Sequence, residues 1–159
     1  MADDPGIAWH DLLARLRDVL KAVRLLKNQA PQRHTVPSGT LCVLSSIDGI
    51  TGADTGCHVK DLAAHCALDP STVSRAVAAL VRDGLVRRAA DPTDGRASTL
   101  ALTPHGRAAL DDVTGWYDEE LAAALKDWST EDMAALSALL RRFSDDLTTR
   151  YTKPLEAAR

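Results

Sequence analysis

The chain has 159 residues, of which 45% are hydrophobic and 26% charged, enough for one domain with a core and an added helical layer. No apolar run approaches the roughly 20 residues that span a bilayer, and the acidic, polar start lacks the pattern of a signal peptide, so we expect a cytoplasmic protein without a membrane partner. The net charge of −3 argues against indiscriminate binding of nucleic acid, and three cysteines cannot all pair within the chain, which fits reduced thiols.

Three helices are predicted in the first 70 residues. The spacing of apolar residues predicts an amphipathic helix from Ile7 to about Asn28. A second helix is expected from near Pro37 to about Ile47, followed by a glycine-containing surface loop from Asp48 to Cys57. A third, short helix is expected from Val59 to about Cys66, with Cys42 and Cys66 as core residues.

The fourth predicted helix, Pro70–Asp83, has the pattern of a recognition helix. Asp69 is a suitable N-cap, Pro70 occupies the first helical position, and Gly84 is predicted to form the C-cap. Small hydroxyls and one arginine near its start suit contacts with base edges and phosphates in a major groove. These outward residues are Ser71, Thr72, Ser74 and Arg75.

A β-hairpin is predicted directly after this helix. Two short β-like runs, 84–88 and 98–102, flank a turn rich in Gly, Pro and Asp with Arg96 at its tip. From residue 70 to 107 there are six arginines and three aspartates, a net charge of +3, so basic charge is concentrated here. Helix, hairpin and a new helix start at Thr103 predict a mainly α fold with a small β-hairpin wing, a winged helix-turn-helix.

Two long helices are expected to follow, one to about Lys126 and one to about Arg150, the second opened by a capping box of Ser129 and Asp132. The terminal helices carry more apolar surface than one small domain can cover, which predicts a homodimer. The expected division is therefore 1–34 for dimerisation, 35–103 for DNA binding and 104–159 for dimerisation. The candidate dimer contacts are Leu12, Leu16, Tyr117, Leu136, Leu140, Phe143 and Leu147.

The segment from Val59 to Gly106 resembles the MarR family of bacterial transcriptional regulators. Its wing reads Asp94-x-Arg96-x3-Leu100-x-Leu102-Thr103-x2-Gly106, although Gly95 stands where a second arginine is frequent. The loop 48–57 is also longer than usual in the family. The other matching stretches are Asp61-Leu62-Ala63, Ser71-Thr72-Val73-Ser74-Arg75 and 80–88.

The resemblance implies a homodimer that represses transcription at a palindromic operator in double-stranded DNA and is released by a small, often aromatic and acidic or phenolic, effector. It implies that Pro70–Asp83 enters the major groove and that Arg96, oriented by Asp94, enters the minor groove. The DNA-binding candidates are then Ser71, Thr72, Ser74, Arg75, Arg87, Asp94 and Arg96. The effector site would lie between the wing domain and the dimer helices, with Trp9, His10, Arg17, Arg24 and Trp116 as candidates.

Four alternatives are weighed against this interpretation. A redox sensor needs an accessible, activated thiol, and Cys57 is the serious candidate. For a metal sensor, His58 and His65 are about 10 Å apart on a helix, too far for a shared zinc, which leaves a site assembled from His34 or His105 or across the dimer. No motif suggests an enzyme, a metal centre or a cofactor. A protein-interaction module would not need Arg75 together with Arg96.

Overall fold

The computed structural model describes residues 5–29, 36, 39–51, 57–90 and 98–152. It confirms the predicted fold class, a mainly helical protein with one antiparallel hairpin. The chain forms two compact units, residues 1–117 and 118–159. In chain order the elements are α1 (Pro5–Gln29), α2 (Leu41–Thr51), α3 (Val59–His65), α4 (Pro70–Arg82), β1 (Val86–Ala90), β2 (Ser98–Leu102), α5 (Pro104–Ala124) and α6 (Thr130–Thr152).

One hydrophobic core holds the first unit together. It forms because α2, α3, α4 and the hairpin each bury an apolar face, and removal of these side chains from water is the main stabilising term. The start of α5 closes the same core with Leu110 and Val113. Its largest fully buried side chains include Leu44, Ile47, Leu62, Val73, Val77, Leu80, Leu85 and Leu100.

The turn between α3 and α4 is a Schellman motif. The amide of Leu68 donates to the carbonyl of Ala63, and the amide of Ala67 donates to the carbonyl of Ala64. Ala67 therefore has a φ of +50°, in the left-handed region that costs a non-glycine residue roughly 1–2 kcal/mol. The short turn, 67–69, directly positions the first residue of α4.

Helix α4 ends in the same motif, this time with glycine at the left-handed position. Asp83 is the C-cap, one residue earlier than the predicted Gly84, and Gly84 follows it with a φ of +72°. Asp69 is the N-cap, as expected, but its side chain makes no capping hydrogen bond. Pro70 lies in the first turn, where its missing N–H costs nothing.

The hairpin pairs Val86 with Leu102 and Ala90 with Ser98. The second strand has the predicted bounds, but the first begins at Val86 rather than Gly84, because Gly84 and Leu85 still belong to the end of α4. Cys57 extends the sheet by a single bridge, since its carbonyl accepts the amide of Leu100 at 2.8 Å. The expectation that Cys57 ends a surface loop is therefore wrong.

The second helix differs from its prediction at both ends. It begins at Leu41, not near Pro37, and runs to Thr51, so that 48–51 is helical rather than loop. Ile50 packs against the core, and Asp48 forms an ion pair with Arg107 of α5. These tertiary contacts outweigh the weak helix preference of the Asp-Gly pair. The segment 52–56 of the predicted loop, like Pro37 itself, lies outside the described residues.

Two side-chain caps fix the starts of the last helices. The hydroxyl of Thr103 accepts the amide of Gly106 at 2.9 Å and donates to the carbonyl of Gly84 at 2.6 Å. The predicted capping box of α6 is confirmed. The Ser129 hydroxyl accepts a hydrogen bond from the amide of Asp132 at 3.0 Å, and the amide of Ser129 donates to the carboxylate of Asp132 at 3.3 Å. Among the described helices, none is long and apolar enough to cross a membrane.

Candidate nucleic-acid interface

The start of α4 presents a polar, exposed surface. Val73, Val77 and Leu80 turn into the core, which leaves the predicted contact residues on the opposite side. All four of them are exposed, and the guanidinium of Arg75 lies 3.4 Å from the hydroxyl of Thr72. A helix start with small hydroxyls and an exposed guanidinium can donate to phosphates and to base edges.

The hairpin adds basic groups beside this helix. Arg87 and Arg88 of β1 are both exposed, and Arg88 donates to the hydroxyl of Ser98 across the hairpin at 3.4 Å. Arg88 was not among the predicted contact residues, since strand alternation suggests that only one of two consecutive residues points outward. Both are exposed because a two-stranded ribbon leaves much of its second face uncovered. Asp94 and Arg96, the predicted wing tip, lie outside the described residues.

Two helices expose apolar faces that the single chain leaves in water. On α1, Leu12 is 45% exposed, and on α6, Leu140 is 50% and Leu147 41% exposed. Leu16, Tyr117 and Phe143 are half-buried. Exposed apolar surface on this scale marks a contact surface rather than an ordinary solvated helix. Further exposed apolar residues on the two helices are Trp9, Leu13, Val19, Leu20, Val23, Leu25, Met133, Leu136 and Leu139.

Comparison with known proteins relates part of the chain to one family. A model of the MarR family matches residues 36–97, the segment that holds the helix-turn-helix and the first part of the wing. The uncharacterized HTH-type transcriptional regulator YxaD of Bacillus subtilis is 38% identical over 87 residues, which cover 55% of this chain and 61% of YxaD. The match thus spans about three fifths of that relative.

Over residues 36–97 the chain is similar to the MarR family. Solved structures of similar fold extend over nearly the whole chain. A MarR family protein from Bacillus stearothermophilus has a TM-score of 0.75 at 19% identity and covers 93% of this chain and 99% of its own. The PcaV transcriptional regulator from Streptomyces coelicolor, solved in complex with its natural ligand, has a TM-score of 0.64 at 27% identity and covers 91% and 97%. MarR family transcription regulators are non-enzymatic DNA-binding proteins, in agreement with the expectation that this chain is not an enzyme.

The candidate effector residues divide into two groups. Trp9, His10, Arg17 and Arg24 are exposed along α1, whereas Trp116 is buried in α5 with its ring 4.9 Å from that of Tyr117. At 1.5 Å per residue, Trp9 and Arg24 are about 22 Å apart along the helix axis. One small ligand therefore cannot contact both ends of this set within a single chain.

The structure removes Cys57 as a sensor thiol. Its side chain is fully buried, and burial, with a smaller effect of Asp61, raises the pKa of the Cys57 thiol to about 11. A protonated, inaccessible thiol is a poor nucleophile. Among the described residues, no three His, Cys, Asp or Glu side chains lie close enough to hold a metal ion. His34, one of the histidines considered for such a site, lies outside these residues.

The other two cysteines also differ from their prediction. Both were expected in the core, but Cys42 is exposed and Cys66 is half-buried. The reason is their position at element ends. Cys42 lies in the first turn of α2, and Cys66 is the C-cap of α3 rather than a residue of its buried face.

Proposed function

We propose that this protein is a homodimeric, sequence-specific DNA-binding transcriptional regulator of the cytoplasm, a repressor that a small effector releases from a palindromic operator. The exposed hydroxyl and arginine surface at the start of α4, next to the exposed arginines of β1, carries the proposal. The geometry supports insertion of α4 into a major groove while the hairpin follows the neighbouring phosphates. The match of residues 36–97 to the MarR family supports the same conclusion.

The exposed apolar faces support the homodimer. Burial of one exposed leucine against a partner contributes on the order of 1.5–3 kcal/mol, so several such residues on α1 and α6 suffice for a stable interface. A two-fold axis would present two copies of α4 to half-sites about one DNA turn apart. This symmetry is why we propose a palindromic operator.

A small effector is proposed because PcaV, which shares the fold, was solved with its natural ligand. Exposed arginines on α1, Arg17 and Arg24, suit an anionic effector, since a guanidinium can bind a carboxylate through two parallel hydrogen bonds. Release requires that the effector bind the DNA-free form more tightly than the DNA-bound form.

The first experiment is a fluorescence anisotropy titration with DNA from upstream of the protein's own gene and with scrambled DNA, near physiological salt. We expect nanomolar, sequence-preferring binding with two chains per site. If both DNAs bind equally weakly and selection from random DNA also finds no preferred site, the proposal is wrong. The winged helix would then serve protein contacts, the alternative use of this fold.

Arg75→Ala is expected to weaken operator binding by roughly 1–3 kcal/mol and to relax the preference for operator over scrambled DNA. The reason is that Arg75 lies at the start of α4, where a groove-bound helix contacts base edges. Arg82→Ala is the matched control, since Arg82 lies about 10 Å further along α4 and pairs with Asp83 at 3.2 Å. Equal loss on every DNA sequence would make Arg75 a phosphate contact instead.

Arg96→Ala is expected to weaken operator binding by about 1–3 kcal/mol while the dimer mass and the thermal melting temperature stay unchanged. An arginine at the tip of the wing gains its free energy from the strongly negative minor groove, so its loss reduces affinity without any effect on the core. Anisotropy titration measures the affinity, and Arg142→Ala, an exposed arginine of α6, is the control. Unchanged affinity would show that the wing does not contact DNA.

A further inference from the structure

The guanidinium of Arg75 has a neighbouring hydroxyl on its own helix. Arg75 lies three residues after Thr72, so both side chains share one face of α4. The Nη2 atom of Arg75 donates to the Thr72 hydroxyl at 3.4 Å, and both residues are exposed. These two residues, which we call the Thr72–Arg75 pair, therefore lie on the side of α4 opposite its buried face.

The partner of Arg75 is neutral, unlike the partners of two other arginines in the same unit. Arg82, at the end of α4, pairs with the carboxylate of Asp83 at 3.2 Å, and Arg107 pairs with Asp48. Among the described residues, no carboxylate forms an ion pair with Arg75. A hydroxyl contact leaves the positive charge of Arg75 uncompensated, so this arginine can bind a hydrogen-bond acceptor with its full charge.

The contact with Thr72 restricts the arginine and leaves most of its donors available. A guanidinium carries five N–H donors, and the Thr72 hydroxyl accepts one of them, so the others remain for two parallel hydrogen bonds to a ligand. At 3.4 Å the hydrogen bond is long, and it therefore limits the side chain without locking it. An arginine that is already restricted loses less rotamer entropy when it binds.

The direction of the contact decides which part of the DNA Arg75 would meet. Thr72 precedes Arg75, so the contact draws the guanidinium back over the first turn of α4, the direction that long side chains on a helix prefer. In a groove-bound helix this first turn faces the base edges, whereas the phosphates lie on either side of the groove. Among the bases, guanine offers two neighbouring acceptors, O6 and N7, which match two parallel N–H groups of an arginine.

We propose that Thr72 is a positioning residue that holds Arg75 over the first turn of α4, where Arg75 reads one guanine in each operator half-site. This inference deepens the proposed function and rests on it. Arg75 makes the base contact, and Thr72 acts through Arg75 rather than on the DNA. Removal of the Thr72 hydroxyl should therefore reduce the discrimination of that guanine, and a serine at the same position should preserve it.

The test is an anisotropy titration of the full-length protein with its preferred operator, obtained by selection from random DNA. Each guanine is replaced in turn, in both half-sites, by 7-deazaguanine, which pairs normally but lacks the N7 acceptor. We expect the wild-type protein to lose affinity by on the order of tenfold at one guanine per half-site. Arg75→Ala should bind the normal operator more weakly and should show no further loss at that guanine.

The variants at position 72 separate positioning from a merely structural role. Thr72→Val keeps the shape of the side chain without its hydroxyl, so it should bind the normal operator more weakly and lose most of the sensitivity to 7-deazaguanine. Thr72→Ser should retain that sensitivity. Thr149→Val, the same change at an exposed position of α6, should behave as the wild type. Circular dichroism shows whether each variant keeps its helices, and Thr72→Ala is a second variant without the hydroxyl.

Failure of this inference differs from failure of the regulator proposal. If the wild type prefers an operator but loses affinity at no guanine, or if Arg75→Ala keeps the loss, the guanine contact is wrong while the regulator proposal stands. If Thr72→Val and Thr72→Ala keep the full sensitivity to 7-deazaguanine, Thr72 does not position Arg75, and the inference is wrong. If no DNA sequence is preferred, the regulator proposal fails and the inference fails with it.

Discussion

A variant with Leu140→Asp and Leu147→Asp is expected to sediment as a monomer and to lose operator affinity by on the order of 100-fold or more, because the second half-site contact is no longer intramolecular. Both leucines are about half-exposed on α6 in the single chain. In a dimer they would lie in an apolar interface, where an unpaired carboxylate costs several kcal/mol. Sedimentation equilibrium and anisotropy titration measure the two effects.

Ala138→Asp with Thr149→Asp is the matched control for this variant. It adds the same charge to the same helix at exposed positions that lie away from the exposed leucines of α6. The dimer should therefore persist. Circular dichroism shows whether each variant keeps its helices. If the Leu140→Asp, Leu147→Asp variant does not fold, a variant with Leu140→Ala and Leu147→Ala replaces it. This alanine variant should stay folded and have a higher dimer dissociation constant. A folded dimer of normal mass in both leucine variants would place the interface elsewhere.

Local signals were sufficient for the elements that carry the proposed DNA contacts. Pro70 marks the start of α4 because it has no N–H that needs a partner, and Gly84 marks its end because glycine tolerates a positive φ. The hydroxyl of Ser129 likewise opens α6 through contacts within four residues. Each of these signals depends only on neighbours along the chain, so the sequence predicts them directly.

The features that the sequence did not predict depend on packing between distant segments. The helical state of 48–51 is supported by the ion pair between Asp48 and Arg107, which are 59 positions apart in the sequence. The contact of the Ser46 hydroxyl with the Cys66 sulfur at 3.3 Å likewise depends on how α2 packs against α3. No periodicity encodes such contacts, and for this reason Cys42 and Cys66 were both assigned to the core.

The junction of α4, the wing and α5 requires glycine at position 106, the last residue of the wing motif that begins at Asp94. The carbonyl of Leu85 accepts the amide of Thr103 at 3.0 Å, which draws the start of α5 against the end of α4. A Cβ built at Gly106 would lie 1.9 Å from this carbonyl oxygen and 2.8 Å from its carbon. Both are backbone atoms held by hydrogen bonds, so no flexible side chain can move aside.

Gly106→Ala is therefore expected to lower the free energy of unfolding by about 3 kcal/mol or more, although alanine is the better helix former by roughly 1 kcal/mol. The clash outweighs the propensity, because α5 must move away from Leu85 and so loosen the base of the wing. Gly115→Ala is the matched control on the same helix, since its Cβ would meet nothing within 4 Å, and it should raise stability by about 0.5–1 kcal/mol. Urea unfolding at equal protein concentration measures both changes. If the two variants were equally stable, the close approach of Gly106 to Leu85 would not govern how the wing is joined to the recognition helix.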